Sequence, residues 1–181
     1  MNTIFVDVDT QSDFINASGK LYIDDAECIK TNLRKINDLA KEQNITVIKT
    51  MDAHDGSEPE MISNGGTFPL HCMKGSAGQL SIKETENDKA IIFEKRCYNV
   101  FDKKFGNNDI ENWLKKNKVK KAWVYGVATD YCVKAAVLGL CKLGIETYIF
   151  QNAIMGVNKE TTEIAIKEMR KAGAHFAVAK L

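Results

Sequence analysis

The chain has 181 residues, 44% apolar and 27% charged, with 25 basic and 24 acidic side chains for a formal net charge of +1. That length and balance suit a single globular domain over 1–181, large enough to bury a core without staples. Such a near-neutral charge is not the electrostatic footprint of a nucleic-acid binder, and no apolar run approaches the roughly 18 residues a membrane span needs.

Short β-branched runs alternate with amphipathic stretches. The first candidate strand, Thr3–Val8, includes an acid at the seventh residue, which interrupts what a secretory signal would keep apolar. It delivers Asp7 and Asp9 with Val8 between them, and period-two alternation predicts both carboxylates on one face. An acid in a buried strand needs a partner or a task; helix capping or loop anchoring would serve as well as catalysis. A long helix is predicted over Asp24–Gln43, with Ile29, Leu33, Ile36 and Ala40 on one stripe and Asn44 as a left-handed stop.

The second strand, Ile45–Thr50, runs into Met51-Asp52-Ala53-His54. Asp52 and His54, two residues apart, project to the same side. A carboxylate and an imidazole so placed suit a divalent ion such as Zn, Mn or Fe, and His71, Glu58 or Glu60 could extend the set. Loop hydrogen bonding is the plainer alternative. The irregular stretch 52–83 contains Gly65, Gly66, Gly75 and Gly78, and loops that long in a compact domain tend to be functional.

The third strand, Ala90–Glu94, is followed by Lys95. Its ammonium either snorkels to the surface or turns inward to stabilise a thiolate or pair with an acid. A helix over Asp109–Asn117 precedes the fourth strand, Lys121–Tyr125, which Gly126 is expected to end. The next helix, Asp130–Leu143, is expected to be capped by Thr129 or Asp130 and stopped by Gly144. Cys132 then falls in its first turn, where unsatisfied N–H groups and the positive dipole end favour a thiolate and can hold an oxyanion. Cys28 and Cys141 lie on or beside apolar stripes and read as packing. Five cysteines cannot all pair and form no CxxC, which implies a reduced, cytoplasmic protein. The fifth strand, Glu146–Phe150, leads to a helix over Lys159–Ala172 between an Asn158 cap and a Gly173 stop, and a sixth strand covers Phe176–Ala179. This alternation, with strands apolar throughout, predicts an α/β fold with a mostly parallel sheet covered on both faces. Chemistry is then expected at the carboxyl ends of the strands.

These segments resemble the isochorismatase-like cysteine hydrolases, and within them the nicotinamidases, from Val8 to about Val157. Asp9-Thr10-Gln11-Ser12-Asp13-Phe14 is similar to the D-x-Q-x-D-F opening, Lys95 to the lysine closing the third strand, and Gly126-Val127-Ala128-Thr129-Asp130-Tyr131-Cys132-Val133 to the nucleophile motif. Asp52-Ala53-His54 and Phe68-Pro69-Leu70-His71-Cys72 resemble the nicotinamidase D-x-H and W-P-x-H-C segments, with Phe for Trp. The resemblance implies a three-layer α/β/α sandwich and a catalytic triad of Asp9, Lys95 and Cys132. It further implies a cis peptide between Val127 and Ala128 that aims the Ala128 and Cys132 N–H groups at one oxygen. Asp52, His54 and His71 would bind a divalent metal, with Glu60 standing where a further histidine is usual. Phe14, Phe68 and Tyr98 are candidate walls for a flat ring. The implied activity is hydrolysis of nicotinamide to nicotinate and ammonia through a thioester. The alternative is another small amide, carbamoyl or vinyl-ether substrate on the same triad. Members are often oligomeric, so a homo-oligomer is within expectation.

Overall fold

A computed structural model describes residues 3–178. Six strands form one sheet: β1 (Thr3–Val8), β2 (Val47–Asp52), β3 (Ile91–Lys95), β4 (Lys121–Val127), β5 (Glu146–Met155) and β6 (His175–Ala177). Their spatial order is β3-β2-β1-β4-β5-β6, and every neighbouring pair is parallel. Strand order reverses between β1 and β4, and in such sheets ligands bind in the crevice at that switch point.

The helices are α1 (Ser12–Ile15), α2 (Lys30–Glu42), α3 (Asn108–Lys116), α4 (Lys134–Lys142) and α5 (Lys159–Lys171). Leu33, Ile36 and Ala40 of α2 pack with Phe14 and Ile15 of α1 on one face of the sheet. Ile110 and Leu114 of α3, Val137 and Leu140 of α4, and Ala165 and Met169 of α5 cover the other. The three-layer α/β/α sandwich follows directly from these two apolar clusters. No helix is long and apolar enough to cross a membrane among the described residues.

Several boundaries differ from the sequence expectation. The long first helix splits into a 3₁₀ turn, Ala26–Ile29, and α2. β2 starts and ends two residues later than expected, so Asp52 is its last residue. β5 runs five residues beyond Phe150. β6 begins one residue early, and the end expected at Ala179 lies outside the described residues. Asn44, Gly144 and Gly173 have positive φ at their helix ends, as expected.

Gly126 does not end β4 but lies within it, at a register shift against β5. Its φ is +116°, and a Cβ there would meet Val8 O of β1 at 2.0 Å. Only glycine fits this approach. The peptide after it, Val127–Ala128, is cis, as the resemblance implied.

Candidate active site

Four strands deliver polar groups to one place. Asp9 follows β1 with a left-handed φ of 51°. Its amide donates to Thr50 O at 3.1 Å, and its Oδ1 accepts from the Thr50 hydroxyl at 2.7 Å. Lys95, at the end of β3, is 2% exposed and turns inward. Its Nζ lies 2.8 Å from Asp9 Oδ2, contacts Asp52 Oδ1 closely, and donates to Cys132 Sγ at 3.6 Å. One ligating atom from each of Asp9, Asp52 and Cys132 lies within 4.8 Å of the others.

Asp7 and Asp9 do not share this site, contrary to the expectation from alternation. Asp9 lies past the strand, and its left-handed backbone breaks the period of two. Asp7 instead pairs with Lys49 of β2 at 3.1 Å.

Cys132 sits not in the first turn of an α-helix but in a π-helical turn, Thr129–Val133, that precedes α4. The expected cap is also absent: neither Thr129 nor Asp130 caps this turn. Asp130 reaches across to the start of α5, accepting from Val157 N at 3.0 Å, Asn158 N at 3.3 Å and the Thr161 hydroxyl at 2.5 Å.

Burial decides the charge states. It pushes the Cys132 thiol well above its ordinary value; the Lys95 ammonium pulls down, while Asp9 and Asp52 push up. Burial thus opposes the thiolate that a helix terminus was expected to favour, and the Lys95 ammonium is the neighbour that acts in its favour. Burial likewise raises Asp9 against the pull of Lys95. For Asp52, burial is overcome by Lys95 and His54, which hold its carboxyl down at about 2. Lys95 is held charged, since the two aspartates outweigh its desolvation.

Beside Asp9, Lys95 and Cys132, Asp52 Oδ2 lies 3.6 Å from His54 Nε2 and 3.8 Å from His71 Nε2, and Glu60 Oε1 lies 3.6 Å from His54 Nε2. These are too long for hydrogen bonds. Two atoms each about 2.1 Å from a tetrahedral ion would lie roughly 3.4 Å apart, which is close to this spacing. Both ring nitrogens of His54 are buried without a hydrogen-bond partner, as a ligand awaiting an ion would be. His71 Nδ1 lies 2.8 Å from Pro69 O, which fixes its proton there and leaves Nε2 free to ligate. The residues present therefore fit a divalent metal. Glu58 stands behind them: it accepts from Arg96 Nε at 2.6 Å and Gly56 N at 3.0 Å, and its Oε1 is 3.6 Å from His54 Nδ1.

Cys132, Asp52, Glu60 and His71 line a cleft of about 100 Å³, together with Phe14, Phe68 and Tyr98. Of the predicted residues, Ala128 also lines this cleft, whereas Asp9, Lys95 and His54 lie behind it, in contact with Asp52 or Cys132. Phe68 meets His71 and Tyr131 edge-on, and Tyr131 meets Tyr98, so the aromatic wall is continuous. Sequence reasoning missed Tyr131 and Val157 in this lining. Adjacency to Cys132 was the available signal for Tyr131; Val157 had none. It also missed Gln11, whose carboxamide accepts from Asp52 N and donates to Asp52 O and Gln79 O, each at 2.8 Å.

The structure is thus an open parallel α/β sheet with an inward lysine, a buried acid and a cysteine gathered at its switch point. The Isochorismatase domain family matches residues 3–180, and the chain belongs to that family. Among curated relatives, it is 27% identical to the nicotinamidase of Escherichia coli (strain K12), covering 92% of this chain and 90% of that one. It is 26% identical to the nicotinamidase/pyrazinamidase of Mycobacterium tuberculosis (strain ATCC 25618 / H37Rv), covering 93% and 95%. The crystal structure of the Pyrococcus horikoshii pyrazinamidase in complex with zinc superposes with a TM-score of 0.90 at 27% identity, covering 98% of this chain and 99% of that one. The chain is thus an isochorismatase-family hydrolase similar to nicotinamidases.

Proposed function

We propose that this protein hydrolyses nicotinamide to nicotinate and ammonia, with Cys132 as nucleophile, Asp9 as proton carrier and Lys95 as the cation that holds them together. The carrying observation is the convergence of Lys95 on Asp9 at 2.8 Å and on Cys132 at 3.6 Å, in a cleft walled by aromatic rings.

The amide carbonyl docks against Cys132. Asp9 takes the thiol proton; its raised affinity for protons suits a group that must both accept and return one. The sulfur forms a bond to the carbonyl carbon, and the oxyanion is held by the N–H groups of Ala128 and Cys132. Loss of one such donor costs about 10²–10³ in rate. Collapse breaks the C–N bond, Asp9 protonates the departing nitrogen, and ammonia leaves. Water then attacks the thioester and Asp9 takes its proton; the C–S bond breaks, the acid is released, and Asp9 returns the proton to the sulfur. Asp52, His54 and His71, with Glu60 beside them, would hold a zinc, iron or manganese ion, which when bound supplies Lewis acidity toward a ring nitrogen or water. Phe14, Phe68, Tyr98 and Tyr131 favour a flat ring by apolar burial and edge contacts.

The presence of the Asp52, His54 and His71 set supports nicotinamide over a vinyl ether, whose hydrolysis on this triad would leave those residues without use. The five cysteines, all unpaired, accord with a cytoplasmic setting. The test is an ammonia-release screen against nicotinamide, pyrazinamide and aliphatic amides, with and without added divalent metals. Nicotinamide turnover that vanishes in Cys132→Ala, with the thermal midpoint kept, is expected; turnover retained in that variant refutes the mechanism.

A further inference from the structure

One buried ion pair has no part in the chemistry above. Asp7 and Lys49 are 1% and 2% exposed and face each other across β1 and β2, with Lys49 Nζ 3.1 Å from Asp7 Oδ2. Neither can be replaced by solvent, and a buried pair is often no more stable than apolar residues of the same volume. An ion pair buried between two central strands whose other inward residues are largely apolar therefore asks for a purpose. The pair is wired to the catalytic turn. The Thr10 hydroxyl donates to Asp7 Oδ1 at 2.8 Å and shares a 2.7 Å hydrogen bond with the Thr85 hydroxyl. Lys49 Nζ donates to Ser81 Oγ at 2.6 Å and to Thr85 O at 3.0 Å. The Thr10 carbonyl accepts from Ile82 N at 3.0 Å. The residue before Thr10 is Asp9, whose left-handed backbone is one a short polar residue can adopt, so its direction depends on the contacts on either side of it.

We propose that the Asp7–Lys49 pair, acting through the Thr10 hydroxyl and Thr85, is a positioning device that holds the Asp9 turn so that its carboxylate faces Lys95 and Cys132. This rests on the reading of Asp9 as the proton carrier. Asp7 and Lys49 touch no substrate. Their effect is to fix a backbone whose displacement by 1 Å would cost up to about 10²-fold in rate.

The test uses nicotinamide turnover by the full chain, with kcat and KM separated and thermal unfolding recorded. Thr10→Val removes the hydroxyl at nearly constant shape. It should lower kcat between about 10- and 100-fold with KM changed less than about twofold. Thr10→Ser keeps the hydroxyl and should keep kcat. The double replacement Asp7→Leu with Lys49→Met removes both charges together, so neither is left unpaired, and should lower kcat to the same extent. Adding Thr10→Val to it should lower kcat little further, because all three act through one link. Thr10→Val with unchanged kcat, or a loss that Thr10→Ser does not rescue, overturns the proposal and leaves the pair as packing. If the double replacement fails to fold, the Thr10 variants still decide. Asp9→Asn serves as control: full activity there refutes the reading of Asp9, whatever the Thr10 variants do.

Discussion

Replacing Lys95 by Met tests the charge arrangement itself, independently of any substrate. The ammonium is shared by Asp9 and Asp52, and all three groups are at most 3% exposed. Met has similar length and no charge, so the variant leaves two buried carboxylates facing each other without their cation. Breaking a buried pair in this way costs about 3–5 kcal/mol. In a domain of this size each kcal/mol shifts the thermal midpoint by about 2–4 °C, so a drop of roughly 6–20 °C at pH 7.5 is expected. The sign with pH follows from linkage. In the wild type, Asp52 is held down at about 2, so its contribution is present above the unfolded value near 4 and is lost as pH falls toward 2. In the variant, burial and mutual repulsion raise the carboxyls above their unfolded values, so the folded state gains stability by binding a proton at low pH and loses it as pH rises. The deficit of the variant should therefore shrink between pH 7.5 and pH 5. Thermal unfolding followed by circular dichroism at both pH values reads this directly. A variant as stable as the wild type at pH 7.5, with a difference independent of pH, would mean that the three charges are solvated and the convergence is wrong.

Exhaustive chelation should lower nicotinamide turnover, and readdition of zinc, iron or manganese should restore it; full rate in verifiably metal-free protein refutes the metal role. His54→Ala should lower the bound-metal content measured by elemental analysis. Gly126→Ala places a Cβ 2.0 Å from Val8 O at a φ of +116°. The expected loss is about 3 kcal/mol or more, since main chain of two central strands must separate; an unchanged thermal midpoint would show that β1 and β4 are not in this register. Asp130→Ala removes the acceptor for Val157 N, Asn158 N and the Thr161 hydroxyl. It should cost about 2 kcal/mol and raise KM, because Val157 lines the cleft; a changed kcat with unaltered KM would contradict that assignment.

Much of the fold was legible because the sequence is locally consistent. The stripe of Leu33, Ile36 and Ala40 faces the sheet, Asn158 caps α5 through Glu160 N and Thr161 N, and Asn44 stops its helix as its residue type suggests. The site residues were also visible, but through motif spacing rather than periodicity. What failed did so where tertiary contacts override local rules. Alternation predicted a shared face for Asp7 and Asp9, and the turn at Asp9 undid it. Asp130 looked like a local cap, yet its partners are 27 to 31 residues away. Gly126 looked like a terminator because the close approach of β1 leaves no trace in neighbouring residues. The upward push on the Cys132 thiol comes from burial on all sides, which no single segment encodes.

The strand order also has a consequence for how the chain could be divided. Asp9, Asp52, His54, His71 and Lys95 all precede the connection 96–107 between β3 and α3, whereas Cys132 and the cis peptide follow it. A cut in that connection would put the proposed proton carrier, its ammonium partner and the proposed metal-ligand set on one piece and the sulfur on the other, and each piece would keep three neighbouring strands. On the proposed mechanism, neither piece would be competent by itself. Ammonia production from the mixed halves would then report their reunion along the β1–β4 seam, which makes the protein a natural scaffold for a split-enzyme sensor.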